Sequence, residues 1–171
     1  MDRTLVLLRH AKSSWNDPTL GDFERPLSRR GQRAAPAIAS HLAVHSPAPD
    51  LVLCSPAQRA LETWFHLAPH YPKTAVEMLP ALYMAEVPVL LQTLQGLAET
   101  VRHALIIGHN PGLHELALAL CGSGPERQMK RLREKFPTAA YAEIALIADT
   151  WPAVMPAAGA LRHFVRPRDL E

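Results

Sequence analysis

Residues 5–16 read LVLLRHAKSSWN, a run of four apolar side chains that ends on an arginine and a histidine. A short apolar run followed by a polar loop is typical of a β-strand that is buried on both faces, as in a parallel sheet. Open parallel sheets bind their ligands at the carboxyl ends of the strands. We therefore expect Arg9 and His10 to lie at the mouth of a binding site. A guanidinium beside an imidazole favours an anionic ligand there, such as a phosphoryl group.

The composition is that of a globular protein, and we expect one domain over residues 1–171. Hydrophobic residues make up 48% of the chain and charged residues 20%, both ordinary values. The net charge of +2 is too small to indicate nucleic-acid binding. Cys54 and Cys121 make no disulfide framework, which favours a reducing cytoplasm. No signal sequence or apolar run of the ~18 residues of a membrane span is present, so we expect a cytoplasmic protein without a membrane partner.

Strand-like runs alternate with helical patterns along the rest of the chain. Ser28 has the residue type of a helix N-cap. Ser55 and Pro56 have the types of an N-cap and of the first helical residue after it. Alternation of this kind is typical of βαβ units, which build a mostly parallel sheet covered by helices on both faces. The last strands could be antiparallel, at an edge. We predict about six strands in all. Besides the first strand, they are expected at residues 51–54, 76–78, 104–108, 141–148 and 161–165.

Three of the predicted strands end in residues that suit an anion. Arg9 and His10 follow the first strand, Arg59 follows the second, and His109 follows the fourth. The carboxyl ends of parallel strands lie at one edge of the sheet, so we expect these four side chains to converge. The arginines would hold phosphoryl oxygens, and His10 is the best candidate for a nucleophile. His109 would be a second donor to the phosphoryl group.

These segments also resemble a known family. Leu8-Arg9-His10-Ala11 with the loop to Asn16 resembles the RHG motif of the histidine phosphatase superfamily, which has the phosphoglycerate mutase-like fold. The segments at residues 55–63 and 108–111 match later motifs of the same family, in the correct order. The pattern Asp22-x-x-Arg25-Pro-Leu-x-x-x-Gly31, followed by Leu82-Tyr83, is most similar to the SixA-like phosphohistidine phosphatases. The resemblance runs from residue 5 to about residue 120.

The resemblance implies a three-layer α/β/α sandwich in which His10 is phosphorylated during turnover. It also implies that Arg9, Arg59 and His109 form the phosphate pocket, without a metal or a cofactor. Asn16 stands where the family often has an asparagine that contacts phosphate. Asn16 could instead bond the backbone of its own loop. Ala11, where the motif has glycine, is a departure that adds one methyl group.

A second departure concerns the proton that the leaving group needs. Larger family members carry a glutamate donor shortly after the third strand, and that register here reads Leu82-Tyr83-Met84. Glu86 comes two residues late, and Asp22 and Glu24 are other candidates, so the general acid is unassigned. The imidazole that leaves phosphohistidine needs less help from an acid than an alkoxide does. The sequence therefore favours a phosphohistidine protein as substrate.

Two other functions remain compatible with the sequence. A phosphatase of small phosphate esters or anhydrides would need one of the three acidic residues as proton donor. A module that binds a phosphorylated ligand without turnover would need none, but the presence of His10 argues against it.

Two further patterns are compatible with simple surface roles. The basic segment Arg127 to Lys135 is either a solvated helix face or a docking rim for an acidic partner. The histidine pairs His41/His45 and His66/His70 have helical spacing, but no H-E-x-x-H motif accompanies them, and we expect no metal site.

Overall fold

The computed structural model describes residues 2–171 of the protein. Seven strands and five helices alternate along most of the chain, as the apolar periodicity predicts. In chain order they are β1 (Arg3–Arg9), α1 (Arg29–His45), β2 (Leu51–Cys54), α2 (Gln58–Leu67), β3 (Ala75–Met78), α3 (Val87–Gln95), β4 (His103–Gly108), α4 (Gly112–Leu120), β5 (Cys121–Ser123), α5 (Glu126–Glu134), β6 (Tyr141–Leu146) and β7 (Gly159–Val165).

The strands form one mixed sheet in the order β3-β2-β4-β1-β6-β7-β5. The first four strands in that order are parallel to one another. β6 is antiparallel to both β1 and β7, while β5 is parallel to β7. The predicted, mostly parallel sheet is therefore confirmed. Since β1, β2 and β4 are parallel neighbours, their carboxyl ends lie at the same edge.

Helices cover both faces of the sheet and bury one apolar cluster on each side. Leu90 of α3, Leu116 of α4 and Leu132 of α5 belong to the first cluster, together with one face of the central strands. Ile38 of α1 and Trp64 of α2 belong to the second, together with the opposite face of those strands. The predicted three-layer α/β/α sandwich is confirmed. Burial on both faces explains why the central strands read as continuous apolar runs.

The longest helix, α1, begins where the sequence predicts. Ser28 is its N-cap, and the Ser28 Oγ accepts a hydrogen bond from the Gly31 N–H at 3.2 Å. The helix has 17 residues and buries one apolar face under the sheet. No helix of residues 2–171 is long and apolar enough to cross a membrane.

Two local boundaries differ from the sequence prediction. The helix α4 ends at Leu120, and residues 121–123 form the short edge strand β5 instead of closing that helix. A strand of three residues is too short to show a period of its own in the sequence. The helix α2 begins at Gln58 with Ala57 as N-cap, rather than at Ser55-Pro56. Ser55 has a different contact, described below.

Candidate active site

The fold brings together the four side chains that the sequence places at strand ends. Arg9 and His10 follow β1, Arg59 lies in the first turn of α2 after β2, and His109 follows β4. All four line one cleft of about 250 Å³ at the carboxyl edge of the sheet. The convergence follows directly from the parallel pairing of the three strands.

The His10 ring is held in the form that a nucleophile requires. Its side chain is only 6% exposed, and its Nδ1 lies 2.7 Å from the carbonyl oxygen of Ala11. Because a carbonyl only accepts, Nδ1 carries the proton and donates it. Nε2 accepts from the Arg59 Nε at 3.4 Å, so its lone pair points towards the guanidinium. Burial, ahead of the neighbouring positive groups, lowers the pKa of His10 to about 3, so the ring is neutral at pH 7.

The backbone that presents His10 is fixed from α2. The Ala11 N–H donates to the Thr63 Oγ1 at 2.9 Å, and that hydroxyl donates to the Arg59 carbonyl at 2.7 Å. Thr63 thus links the segment that carries His10 to the helix that carries Arg59. The methyl group of Ala11 is fully buried, so the structure accommodates the departure from glycine within its core.

Arg59 is buried and is engaged by the loop after β1. Its Nη1 donates to the Asp22 carbonyl at 2.6 Å, and its Nη2 donates to the Asp22 carboxylate at 3.0 Å. The same carboxylate accepts from the Tyr83 hydroxyl and, at 2.9 Å, from Arg25. These donors, Tyr83 foremost, hold the pKa of Asp22 well below its usual range. Asp22 is therefore an ionised acceptor in the cleft rather than a proton donor.

Arg9 and His109 complete the cleft from the other two strands. The Arg9 Nη1 donates to the Phe136 carbonyl at 3.0 Å. The His109 Nε2 lies 2.7 Å from the Ser55 Oγ, which also accepts from the Ala57 N–H at 3.3 Å. The His109 ring centroid is 5.1 Å from that of His10. Burial, followed by the charge of Arg59, lowers the pKa of His109 to about 4, so this ring is also neutral in the ligand-free protein.

The two other acid candidates lie outside the residues that line the cleft. Glu86 precedes α3 and is exposed, and Glu24 is exposed in the 3₁₀ turn Asp22–Glu24. Tyr83 lies in the register where the resemblance implies a glutamate proton donor. Its hydroxyl contacts Asp22, and its ring meets the His109 ring edge-on at 5.4 Å. The arrangement within the described residues therefore offers no protonated carboxyl group beside His10.

Asn16 is not brought to the cleft, whereas Asn110 is. Asn16 is exposed, and its backbone N–H donates to the Ser14 Oγ at 3.1 Å, so the loop is capped here by the side chain of Ser14. Asn110 lines the cleft, and its Nδ2 donates to the Phe136 carbonyl at 2.8 Å. Its place directly after His109 at the end of β4 is the sequence signal that could have identified it.

Arg25 is a second cleft residue that the sequence does not single out as part of the site. It forms an ion pair with Asp22 in the loop after β1. Arg25 is only 8% exposed, lines the cleft, and donates to the Ser13 Oγ at 2.7 Å. Its guanidinium carbon lies 3.6 Å from the centroid of the exposed Trp15 ring. The loop after β1 thus forms one wall of the cleft.

Metal-ligating side chains are not clustered in the part of the chain that the structure describes. No three His, Cys, Asp or Glu residues among positions 2–171 are grouped so that they could hold an ion. His41 and His45 stack on each other, and the His41 Nδ1 lies 2.9 Å from the Tyr141 hydroxyl.

Comparison with known proteins places the chain in a family. Residues 5–86 match the model of the histidine phosphatase superfamily, branch 1. An uncharacterised protein of Mycobacterium tuberculosis is 36% identical over 163 residues, which are 94% of this chain and 100% of that protein.

Two solved structures extend the likeness over nearly the whole chain. Each comes from a bacterial protein described as a candidate phosphohistidine phosphatase SixA, and each is 27% identical to this chain. The one from Nakamurella multipartitia has a TM-score of 0.84 and covers 98% of this chain and 97% of its own. The one from Agrobacterium tumefaciens has a TM-score of 0.82, and the match covers 98% of this chain and 99% of its own. With the cleft described above, these matches show that the chain belongs to the histidine phosphatase superfamily, in its SixA-like branch, and is a phosphatase.

Proposed function

We propose that this phosphatase removes phosphoryl groups from phosphohistidine on a protein, through a phosphorylated His10. The observation that carries the proposal is the fixed tautomer of the His10 ring. Nδ1 is bonded to the Ala11 carbonyl, so the lone pair of the ring is on Nε2, where an incoming phosphoryl group would replace the long hydrogen bond of 3.4 Å from the Arg59 Nε. A neutral imidazole of this kind can attack phosphorus without a separate base.

In the proposed first step, His10 Nε2 forms a bond to phosphorus while the bond from phosphorus to the leaving nitrogen breaks. The His10 proton stays on Nδ1, bonded to the Ala11 carbonyl, and the phosphorylated ring carries a positive charge. In the second step, water attacks the phosphorus of phospho-His10. That step releases inorganic phosphate and restores the neutral ring, the water giving up one proton to the solvent or to the phosphate.

Arg9, Arg59 and His109 are proposed to stabilise the phosphoryl group during both transfers. Phosphoryl transfer depends mainly on positioning and on neutralising the charge of the three equatorial oxygens. Two guanidinium groups and the imidazole of His109 line the same cleft as His10. A phosphate dianion would raise the pKa of His109, so that its ring could bind as a cation.

The leaving group is the reason for proposing phosphohistidine as substrate. Asp22 is held ionised and Glu24 and Glu86 lie outside the cleft lining, so no described carboxyl group is placed to protonate an alkoxide. A phosphohistidine ring protonated on its free nitrogen departs as neutral imidazole and needs no such donor. The absence of a placed acid therefore favours the phosphoramidate over the ester.

Two further expectations stay predictions: that the protein acts in the cytoplasm, and that residues 1–171 form a single domain.

The test is to trap the phosphoenzyme. Wild-type protein and a His10→Ala variant are incubated with phosphohistidine, an acyl phosphate and a simple phosphate ester, each labelled with ³²P. We expect acid-labile label on wild-type protein from phosphohistidine, and none on His10→Ala. A His70→Ala variant, which removes an exposed histidine that does not line the cleft, should be labelled like wild type.

Three results would contradict the proposal in different ways. The absence of His10-dependent turnover on any substrate would favour a binding module. Faster turnover of esters than of phosphohistidine, with a bell-shaped pH profile that Glu86→Gln abolishes, would favour the small-ester phosphatase. Label that survives the His10→Ala substitution would assign the nucleophile elsewhere.

A further inference from the structure

A groove rich in positive charge leads away from the cleft. Its inner part is a pocket of about 80 Å³, which shares Lys12 and Thr138 with the cleft. Its outer part is an open depression of about 440 Å³, which shares Arg30 and Arg168 with the inner pocket and adds Arg33. The three depressions therefore form one continuous surface. We call Lys12, Arg30, Arg33 and Arg168, all of them exposed, the basic groove.

The charges of the basic groove are not neutralised within the protein. None of its four side chains has a carboxylate partner among residues 2–171. Arg166 also lines the inner pocket, but its Nη2 is 2.7 Å from the Asp169 carboxylate. Among the described residues, no acidic side chain lines the inner pocket. The outer part has one acidic lining residue, Glu171. Positive charge is thus concentrated here in a chain whose net charge is only +2.

Close backbone packing joins the groove to the catalytic loop. A Cβ atom on Gly31 would lie 2.2 Å from the Lys12 carbonyl oxygen, so only glycine lets the first turn of α1 approach so closely. The Ser28 N–H donates to the same oxygen at 2.8 Å. These contacts fix Lys12, two residues after His10, beside the amino end of α1.

The remaining cations come from α1 and from the end of the chain. Arg30 and Arg33 are three residues apart and therefore share one face of α1. The 3₁₀ turn Pro167–Leu170 packs against α1 and brings Arg168 alongside that face. The hydrogen bonds between Arg166 and Asp169 hold this turn in shape.

We propose that the basic groove docks an acidic surface of the phosphorylated protein next to its phosphohistidine. Exposed cations along an open groove raise the association rate of a partner with complementary charge and help to select that partner. Their contribution to the affinity for a small ligand is smaller. A protein whose phosphohistidine enters the cleft would lay its flanking residues over Lys12 and Arg30. This inference rests on the proposed function and specifies the surface charge of the protein substrate.

The test uses three synthetic peptides of equal length, each with one central phosphohistidine. The flanking residues are glutamate in the first peptide, glutamine in the second and lysine in the third. Wild-type protein should show a kcat/KM about 10-fold higher for the glutamate peptide than for the glutamine peptide at ~0.05 M salt. The preference should shrink as the salt concentration rises, because the charges that cause it are exposed.

A triple variant, Arg30→Glu/Arg33→Glu/Arg168→Glu, should reverse the preference towards the lysine peptide. The triple variant should turn over free phosphoramidate, which has no flanking residues, as fast as wild type. That result would show that the variant is folded. The matched control is Lys73→Glu/Lys130→Glu/Arg133→Glu, which changes the net charge equally at three exposed residues that line neither the cleft nor the basic groove. It should keep the wild-type preference.

Each other outcome overturns the inference in a recognisable way. Equal turnover of all three peptides by wild type would overturn the docking surface while the proposed function stands. Equal loss of preference in the control would assign the effect to net charge. Equal turnover of the peptides, with inhibition by a single-stranded oligonucleotide that the groove variant abolishes, would assign the groove to nucleic acid. Failure of His10-dependent turnover on phosphoramidate and peptides alike would remove the proposed function, and the docking inference with it.

Discussion

Asp22 engages Arg59 through both its backbone and its side chain. The Arg59 Nη1 donates to the Asp22 carbonyl at 2.6 Å, and the Nη2 donates to the carboxylate at 3.0 Å. A carboxylate and a phosphate compete for the same guanidinium, because both present oxygens that match its fork. A phosphoryl group that enters the cleft must therefore share Arg59 with Asp22 or displace it.

The Asp22→Asn variant should bind inorganic phosphate about 5- to 10-fold more tightly than wild type, as measured by calorimetry. Removing one unit of negative charge about 4 Å from the bound anion removes roughly 1 kcal/mol of repulsion even at the dielectric constant of water. The control is Asp17→Asn in the same loop, since the Asp17 carboxylate accepts hydrogen bonds only from the exposed Thr19. Unchanged or weaker phosphate binding by Asp22→Asn would show that the carboxylate helps to form the pocket instead of competing for it.

The stability of the protein should decrease at acid pH because His10 is buried in its neutral form. The pKa of His10 is about 3 in the folded protein, below the ordinary value of about 6.5. Between these values the unfolded chain binds more protons, so the free energy of unfolding falls as the pH drops from ~6.5 towards 3. Wild type should lose on the order of 2 kcal/mol more than His10→Gln between pH 7 and pH 4, as measured by urea denaturation. Parallel losses in the two proteins would contradict the buried neutral ring.

Thr63→Val should reduce turnover more than it affects substrate affinity. The substitution leaves the Ala11 N–H without its acceptor, which costs about 1–3 kcal/mol of stability, and it loosens the backbone that presents His10. We expect kcat to fall about 10-fold in single-turnover assays, with KM within about 2-fold of wild type. Thr93→Val is the matched control, since the Thr93 hydroxyl also donates to the carbonyl four residues earlier but accepts no such bond. A similar decrease in both variants would assign the effect to helix stability.

Gly31→Ala should destabilise the protein and displace the loop that carries His10. The added Cβ would meet the Lys12 carbonyl oxygen at 2.2 Å, and a backbone atom cannot move aside cheaply. Overpacking of this kind costs about 1–3 kcal/mol, which thermal denaturation will measure as a lower Tm. Gly96→Ala should have little effect, because its Cβ would meet nothing nearer than 3.5 Å. Full stability of Gly31→Ala would show that α1 can shift without cost.

The positions of the catalytic candidates could be predicted from the sequence because each depends on local structure and one general rule. The apolar runs identify β1, β2 and β4, and the residues that follow them identify Arg9, His10, Arg59 and His109. Parallel pairing then brings their carboxyl ends to one edge, whatever the remaining strands do. The short strand β5 escaped prediction because three residues carry no period.

Contacts between distant parts of the chain could not be predicted in this way. Ser55 has the residue type of a helix cap, yet its hydroxyl lies against His109, 54 positions away. Asp22 was one of three acid candidates, and only the approach of Arg59 and Tyr83 makes it an ionised acceptor. In the same way, Arg168 reaches Arg30 through the packing of the last turn on α1.

The sequence by itself determined the alternation of strands and helices, the parallel core of the sheet and the four side chains at its carboxyl edge, because apolar periodicity and strand direction act locally. The tertiary structure decided which hydrogen bonds and charges surround those four side chains. It placed Asn110 rather than Asn16 in the cleft and gathered the cations of the basic groove from three separate segments. A side chain's partner and its pKa depend on what packs against it, and that neighbour is often tens of residues away in the chain.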